Sequence, residues 1–171
     1  MDVREDQSSH SYHVAHCLLA CLHTHPRPSL STTIEAILKR NKVIAVVGCS
    51  RDPTKDAHTV PRYMKGHGYR IIPINPFADE ILGERCYKSL ADMPEHAQKI
   101  VEVVNIFRPS EDVPPIVEQS IRLREKYGRL AVIWTQLGIM NEAAAKRAED
   151  AGLAVVMDRC IMVEHRRLSS D

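Results

Sequence analysis

No Cys-x-x-Cys pair occurs in this sequence; its five cysteines, Cys17, Cys21, Cys49, Cys86 and Cys160, are scattered over 171 residues. That excludes a zinc ribbon and a thioredoxin-type site, argues against a disulfide framework, and leads us to expect reduced thiols in a cytoplasmic setting. Aromatic residues reach only 5%, few for a protein that stacks the bases of a single strand. An excess of one charge is missing too. Lys and Arg number 23 against 22 Asp and Glu, a net charge of +1, so nucleic acid is not an expected partner. No apolar run approaches the ~18–20 residues of a membrane span, and no membrane partner is expected. Neither G-x-G-x-x-G nor G-x-x-x-x-G-K-[ST] is present, and no Ser/His/Asp spacing or H-E-x-x-H motif assembles a catalyst.

What is present divides near residue 30. Five of the nine histidines, His10, His13, His16, His23 and His25, lie in the first 30 residues among Ser, Thr and Pro. Their spacing with Cys17 and Cys21 matches no closed tetrahedral zinc site. The apolar cluster at 17–22 is short for a signal-peptide core and is preceded by acids. This segment reads as a flexible extension or one short helix.

From Ser31 to Leu168 the pattern is regular, with a short tail at 169–171. Thr32 and Glu35 have capping-box spacing, and Ile34, Ile37 and Leu38 follow at helical intervals, predicting a helix to about Arg40. The run 43–47 (VIAVV) suits a strand covered on both faces. A helix is expected over 57–65 and a strand over 69–74. An extended piece at 82–87 and a helical turn at 90–93 come next. Strands at 100–107, 130–134 and 153–157 alternate with helices at 110–128 and 141–151, and the chain ends in a charged stretch holding His165. Strand and helix alternate throughout. The expected fold is therefore α/β: a doubly wound, mainly parallel five-stranded sheet in a single domain.

Such sheets bind ligands at the carboxyl ends of their strands, and the residues there are the candidate site. After the first strand, Gly48 permits a sharp turn, Ser50 offers a hydroxyl, and Arg51 and Lys55 add positive charge near a helix start. This is a candidate phosphate loop. The second strand ends in Asn75-Pro76-Phe77, where a dinucleotide site usually carries an acid for the ribose. The third ends in Phe107 and Arg108, a ring and a cation. The fourth ends in Trp134, Thr135 and Gln136, the one tryptophan followed by a polar pair. Cys49 and Cys160 are candidate nucleophiles if their thiols ionise.

Five segments, V-V-G-C-S-R-D-P (46–53), I-P-I-N-P (72–76), I-F-R-P (106–109), W-T-Q-L-G (134–138) and M-D-R-C-I-M-V-E-H-R-R-L (157–168), occur in the order seen in one family. The sequence resembles the CoA-binding domain family, small relatives of the nucleotide-fold domain of the succinyl-CoA synthetase α subunit. The resemblance implies a Rossmann-like sheet holding coenzyme A, or an acyl-CoA, extended along the strand ends. It implies that Gly48, Ser50, Arg51 and Lys55 face phosphates. It also implies that Asn75, Pro76, Phe77, Phe107 and Arg108 line the second- and third-strand edges, with Trp134, Thr135 and Gln136 near the thiol-bearing arm. The synthetase's phosphorylated histidine belongs to a second domain, so the resemblance implies binding rather than ligation. Two functions are carried forward: a non-catalytic carrier, sensor or regulator that binds CoA, and an enzyme, either an NAD(P)-dependent oxidoreductase or a thiol or acyl transferase using Cys49 or Cys160.

Overall fold

In the computed structural model, the described residues run from 30 to 169, so the histidine-rich segment lies outside them. Helix α1 (Leu30–Arg40) leads into strand β1 (Val43–Val47), helix α2 (Asp56–Gly66) and strand β2 (Arg70–Ile74). Two short strands, β3 (Glu80–Ile81) and β4 (Glu84–Arg85), and a one-turn helix α3 (Glu95–Gln98) precede β5 (Val103–Ile106). A 3-10 turn (Ser110–Asp112) opens helix α4 (Val113–Tyr127), followed by β6 (Val132–Thr135), α5 (Glu142–Asp150), β7 (Ala154–Val156) and α6 (Ile161–Leu168).

The five longer strands form one sheet in the order β2-β1-β5-β6-β7, every pair parallel. Because the strands are parallel, each crossover must travel over a face, and the helices cover both faces. Side chains alternate accordingly. Ala45, Val47, Ile72, Val104, Ile106 and Ile133 meet α4 and α5, whereas Ile44, Val46, Ile71, Val103, Val132 and Trp134 meet α1, α2 and α6. Each large aliphatic side chain buried this way contributes roughly 1.5–3 kcal/mol relative to exposure. The continuous apolar run of β1 follows from its place in the middle of that sandwich.

Four segments differ from the sequence reading. The piece at 82–87 is not one extended stretch. Leu82 and Gly83, at φ 59° and 71°, turn the chain so that β3 pairs antiparallel with β4, and only Tyr87 continues, bridging in parallel to Ile74 at the end of β2. The helical turn expected at 90–93 falls later, at α3. The charged carboxyl-terminal stretch is helical: Ile161 is wholly buried, and His165 packs edge-on to Tyr63, His67 and Tyr69. Arg166 and Arg167 are exposed on this helix, whereas Glu164 is buried on the same side as Ile161 and pairs with Arg159 and Arg167. Helix α1 starts at Leu30, two residues before the expected cap at Thr32. Among the described residues, no helix is long and apolar enough to cross a membrane.

Candidate functional site

Strand order reverses between β1 and β5: the chain leaves β1 toward β2 on one side and later fills β5 on the other. At such a point the two connecting loops diverge and open a crevice beyond the strand ends. Gly48 follows β1 there, with φ +86°, and a Cβ built on it would stand 2.9 Å from the Phe107 carbonyl oxygen and 3.1 Å from Arg108 Cδ. The two loops therefore approach so closely that only glycine fits. A left-handed backbone and a steric limit coincide at one residue.

Asn75 ties the neighbouring loops together. Its side-chain N–H donates to the Cys49 carbonyl at 2.8 Å, and its oxygen accepts the Phe77 N–H at 2.8 Å. An aspartate could accept the second bond but could not donate the first. This explains in physical terms why an amide stands where a dinucleotide site has an acid. Pro61, inside α2, contributes from a distance. Lacking an N–H, it leaves the Ala57 carbonyl without its helical partner, and the Ser50 N–H donates to that carbonyl at 3.0 Å instead.

The loop between β1 and α2 is therefore held by its own polar groups. The Ser50 hydroxyl accepts the Asp52 N–H at 3.1 Å, the Lys55 N–H donates to the Asp52 carbonyl, and His58 Nδ1 lies 2.7 Å from the Ser50 carbonyl. Hydrogen bonds from the Thr54 hydroxyl and N–H hold the Asp52 carboxyl below the usual range. The N–H groups of Ser50, Asp52, Thr54 and Lys55 thus have internal partners. Arg51 and Lys55 are exposed on this loop.

Beside the loop lies a cavity of about 420 Å³. Its floor and walls are Val47, Gly48 and Ile74 at the strand ends, Asn75, Pro76 and Phe77 in the loop after β2, Lys88 to Leu90, and Arg108, Asp112, Pro115, Ile116 and Gln119 at the start of α4. The size falls within the range of small-ligand pockets, and the mixture of apolar walls and few polar groups is typical of them. Phe77 is 81% exposed at the rim, a large ring offered to solvent. Arg108 is held by Asp112, its Nε and one terminal nitrogen both donating to the same carboxylate oxygen at 3.1 and 2.6 Å.

Of the residues singled out in the sequence, Gly48, Asn75, Pro76, Phe77 and Arg108 meet at this cavity. Ser50, Arg51 and Lys55 belong to the adjoining loop and are not among its walls. Phe107 and Trp134 turn the other way, into the layer under α1, α2 and α6; Trp134 is 0% exposed and its indole N–H donates to the Arg159 carbonyl at 2.6 Å. Thr135 and Gln136 are buried at the end of β6. The Thr135 hydroxyl donates to the Ile139 carbonyl at 2.7 Å, and Gln136 donates to the Asn105 side chain at 2.8 Å. Sequence reading missed Lys88, Ser89, Asp112 and Gln119. Asp112 could have been found from its i,i+4 spacing to Arg108. Lys88 carried no local signal, because a long-range bridge delivers it.

Cys49 is wholly buried, and burial first, with Cys86 nearby second, pushes its thiol up to about 12. Burial and the raised thiol both disfavour the thiolate form, which weighs against Cys49 as a nucleophile. Cys160 is half-buried at the start of α6. Among the described residues no group of three or more His, Cys, Asp or Glu side chains could hold a metal ion.

Comparison with known proteins now has a geometry to stand on. An uncharacterized protein of Bacillus subtilis, YneT, is 39% identical over 132 residues, spanning 77% of this chain and 91% of that protein. A hypothetical protein of Pyrococcus horikoshii OT3 superimposes with a TM-score of 0.73 at 40% identity, covering 81% of this chain and 92% of that one. An ADP-forming acetate–CoA ligase of Methanocaldococcus jannaschii is 35% identical over 78 residues, 46% of this chain but only 10% of the ligase. The sequence profile described as CoA binding domain matches residues 42–166, nearly the whole sheet and its helices, and the chain belongs to that family.

Proposed function

We propose that this protein binds coenzyme A or an acyl-CoA at the carboxyl ends of β1, β2 and β5 and does no chemistry on it, acting as a carrier, sensor or regulator. The observation that carries this reading is the cavity at the strand-order reversal, where apolar walls, an exposed Phe77 ring and the cations of Lys88 and Arg108 surround one space. Apolar surface suits an adenine or a pantetheine arm, and the cations suit phosphates. Family membership supports the same ligand. The burial of Cys49, which pushes its thiol up, and the lack of Cys and His side chains among the cavity's described walls support binding over turnover.

Calorimetric titration with CoA and with acetyl-CoA tests the reading. Saturable one-to-one binding that weakens as salt rises is expected, because screening acts on exposed cations. Acetyl-CoA incubated with the protein should release thiol no faster than in buffer. No heat and no retained CoA adduct in native mass spectrometry at millimolar ligand would overturn the binding reading; thiol release that scales with protein concentration would overturn the non-catalytic one.

A further inference from the structure

Helix α6 is held to the sheet in two different ways along its length. Its amino-terminal half is anchored. Ile161 is wholly buried, Glu164 pairs with Arg159 and Arg167 at 3.2 and 2.9 Å, and the Arg159 carbonyl receives the Trp134 indole N–H. The other half rests on one imidazole. His165 lies edge-on to Tyr63, His67 and Tyr69, with ring centroids 5.6, 5.3 and 5.5 Å away, and its Nδ1 is 3.1 Å from the Tyr63 hydroxyl. His67, at the end of α2, stacks on Tyr63 at 3.9 Å. Cations crowd the same cluster. Lys42, between α1 and β1, stands 4.2 Å from the centre of the Tyr69 ring, and Arg166 of α6 stands 4.8 Å from that of Tyr63. The carboxylates of the packed helices do not answer them: Glu164 holds its two arginines, Glu35 of α1 pairs with Lys39, and Asp56 lies at the opposite end of α2.

A neutral imidazole suits this place and an imidazolium does not. Neutral His165 can accept the Tyr63 hydroxyl at Nδ1, whereas the protonated ring has only donors and the hydroxyl must turn away. A cation gains from a tyrosine ring, but the Tyr63 and Tyr69 rings already serve Arg166 and Lys42. A proton on His67, whose Nδ1 lies 2.7 Å from the Tyr63 carbonyl, would add a further charge beside His165. We propose that His67 and His165 form an acid-sensitive latch: with both rings neutral the last turns of α6 stay docked on α2, and with both protonated, beside Lys42 and Arg166, residues 165–168 lift away while the anchored half remains. Burial, then the His67 and Lys42 charges, hold His165 below the ordinary histidine range, which agrees with this. Docking favours the neutral ring, so it is complete above the free-histidine value of about 6.5 and is lost as pH falls toward the lowered one.

Amide hydrogen exchange of the full chain at pH 7.5 and pH 5.5, corrected for intrinsic exchange rates and read peptide by peptide, tests the latch. Opening of 165–168 should rise by about three- to ten-fold at the lower pH relative to amides of β1 and β5, the scale of one net hydrogen bond. His165→Gln, neutral at both pH values, should lose that rise. His67→Gln alters an exposed side chain and should reduce it, and His96→Gln, on α3 and outside the cluster, should leave it unchanged. Where His165→Gln is already open at pH 7.5, His67→Gln decides alone. No change between the two pH values, an equal change throughout the sheet, a full response in His67→Gln, or a loss of response in His96→Gln would overturn the latch. The inference stands apart from the coenzyme A reading, and none of these outcomes bears on ligand binding.

Discussion

Replacing Gly48 by alanine should damage this protein more than the loss of a loop glycine ordinarily does. Two penalties combine at that position. An L-residue at φ +86° gives up roughly 1–2 kcal/mol to the left-handed conformation. The new methyl would also stand 2.9 Å from the Phe107 carbonyl oxygen and 3.1 Å from its carbon, both backbone atoms that cannot rotate away. Relief requires the loop after β5 to shift, which adds a comparable amount, for a total of about 2–4 kcal/mol. Gly68 supplies the control. Its φ is +84°, yet nothing lies within 4 Å of a built Cβ, so Gly68→Ala meets the conformational penalty alone. Urea unfolding followed through Trp134, the one tryptophan and wholly buried, measures both variants. For a urea slope of about 2 kcal/mol per molar, Gly48→Ala should lower the midpoint by about 1–2 M and Gly68→Ala by about half as much. Equal shifts in the two variants would refute the close approach of the β1 and β5 loops on which the cavity's shape depends.

Other outcomes follow from the same geometry. Asn75→Asp puts a carboxylate against the Cys49 carbonyl and removes its donor; a stability loss of about 1–3 kcal/mol, read by thermal melting, is expected, and an unchanged melting temperature would contradict the tie. In native protein at pH 8, iodoacetamide should modify Cys160 long before Cys49, whose thiol pushed up to about 12 is scarcely ionised; peptide mapping showing equal rates would contradict its burial. His165 is held below the ordinary histidine range by burial, then by the neighbouring His67 and Lys42 charges. Folding therefore favours its neutral form, so stability is full above the unfolded-state value and falls as pH drops through it toward the lowered one. Denaturation at pH 7.5 and pH 5 should show that loss in wild type and a smaller one in His165→Gln.

Much of the sheet was legible because burial on both faces leaves a dense apolar signature. The run at 43–47 became β1 as expected, and the strands expected from 69, 100, 130 and 153 are all present, each starting one to three residues later. The trimming has a common cause. Hydrophobic residues start before the strand does, as Leu130 and Leu153 do ahead of β6 and β7, because they already fill the core. The hairpin at 80–85 was not legible, since it depends on Leu82 taking a positive φ that its side chain disfavours. Nor was α6, whose apolar stripe is narrow and whose charges dominate its composition. At the site, residues directly following a strand were found and those delivered from elsewhere were not.

Alternation of strand and helix, the lone glycine after β1 and the absence of an acid after β2 were properties of the chain read in order, because each is local. Which strand ends would be neighbours was not local. The order β2-β1-β5-β6-β7 put Gly48 against Phe107 and Arg108, sent the Trp134 ring into the core, and let Tyr87 carry Lys88 to the end of β2. A strand's side chains alternate between faces, so a one-residue difference in register decides whether a ring meets a ligand or a helix. That choice belongs to the packed sheet alone.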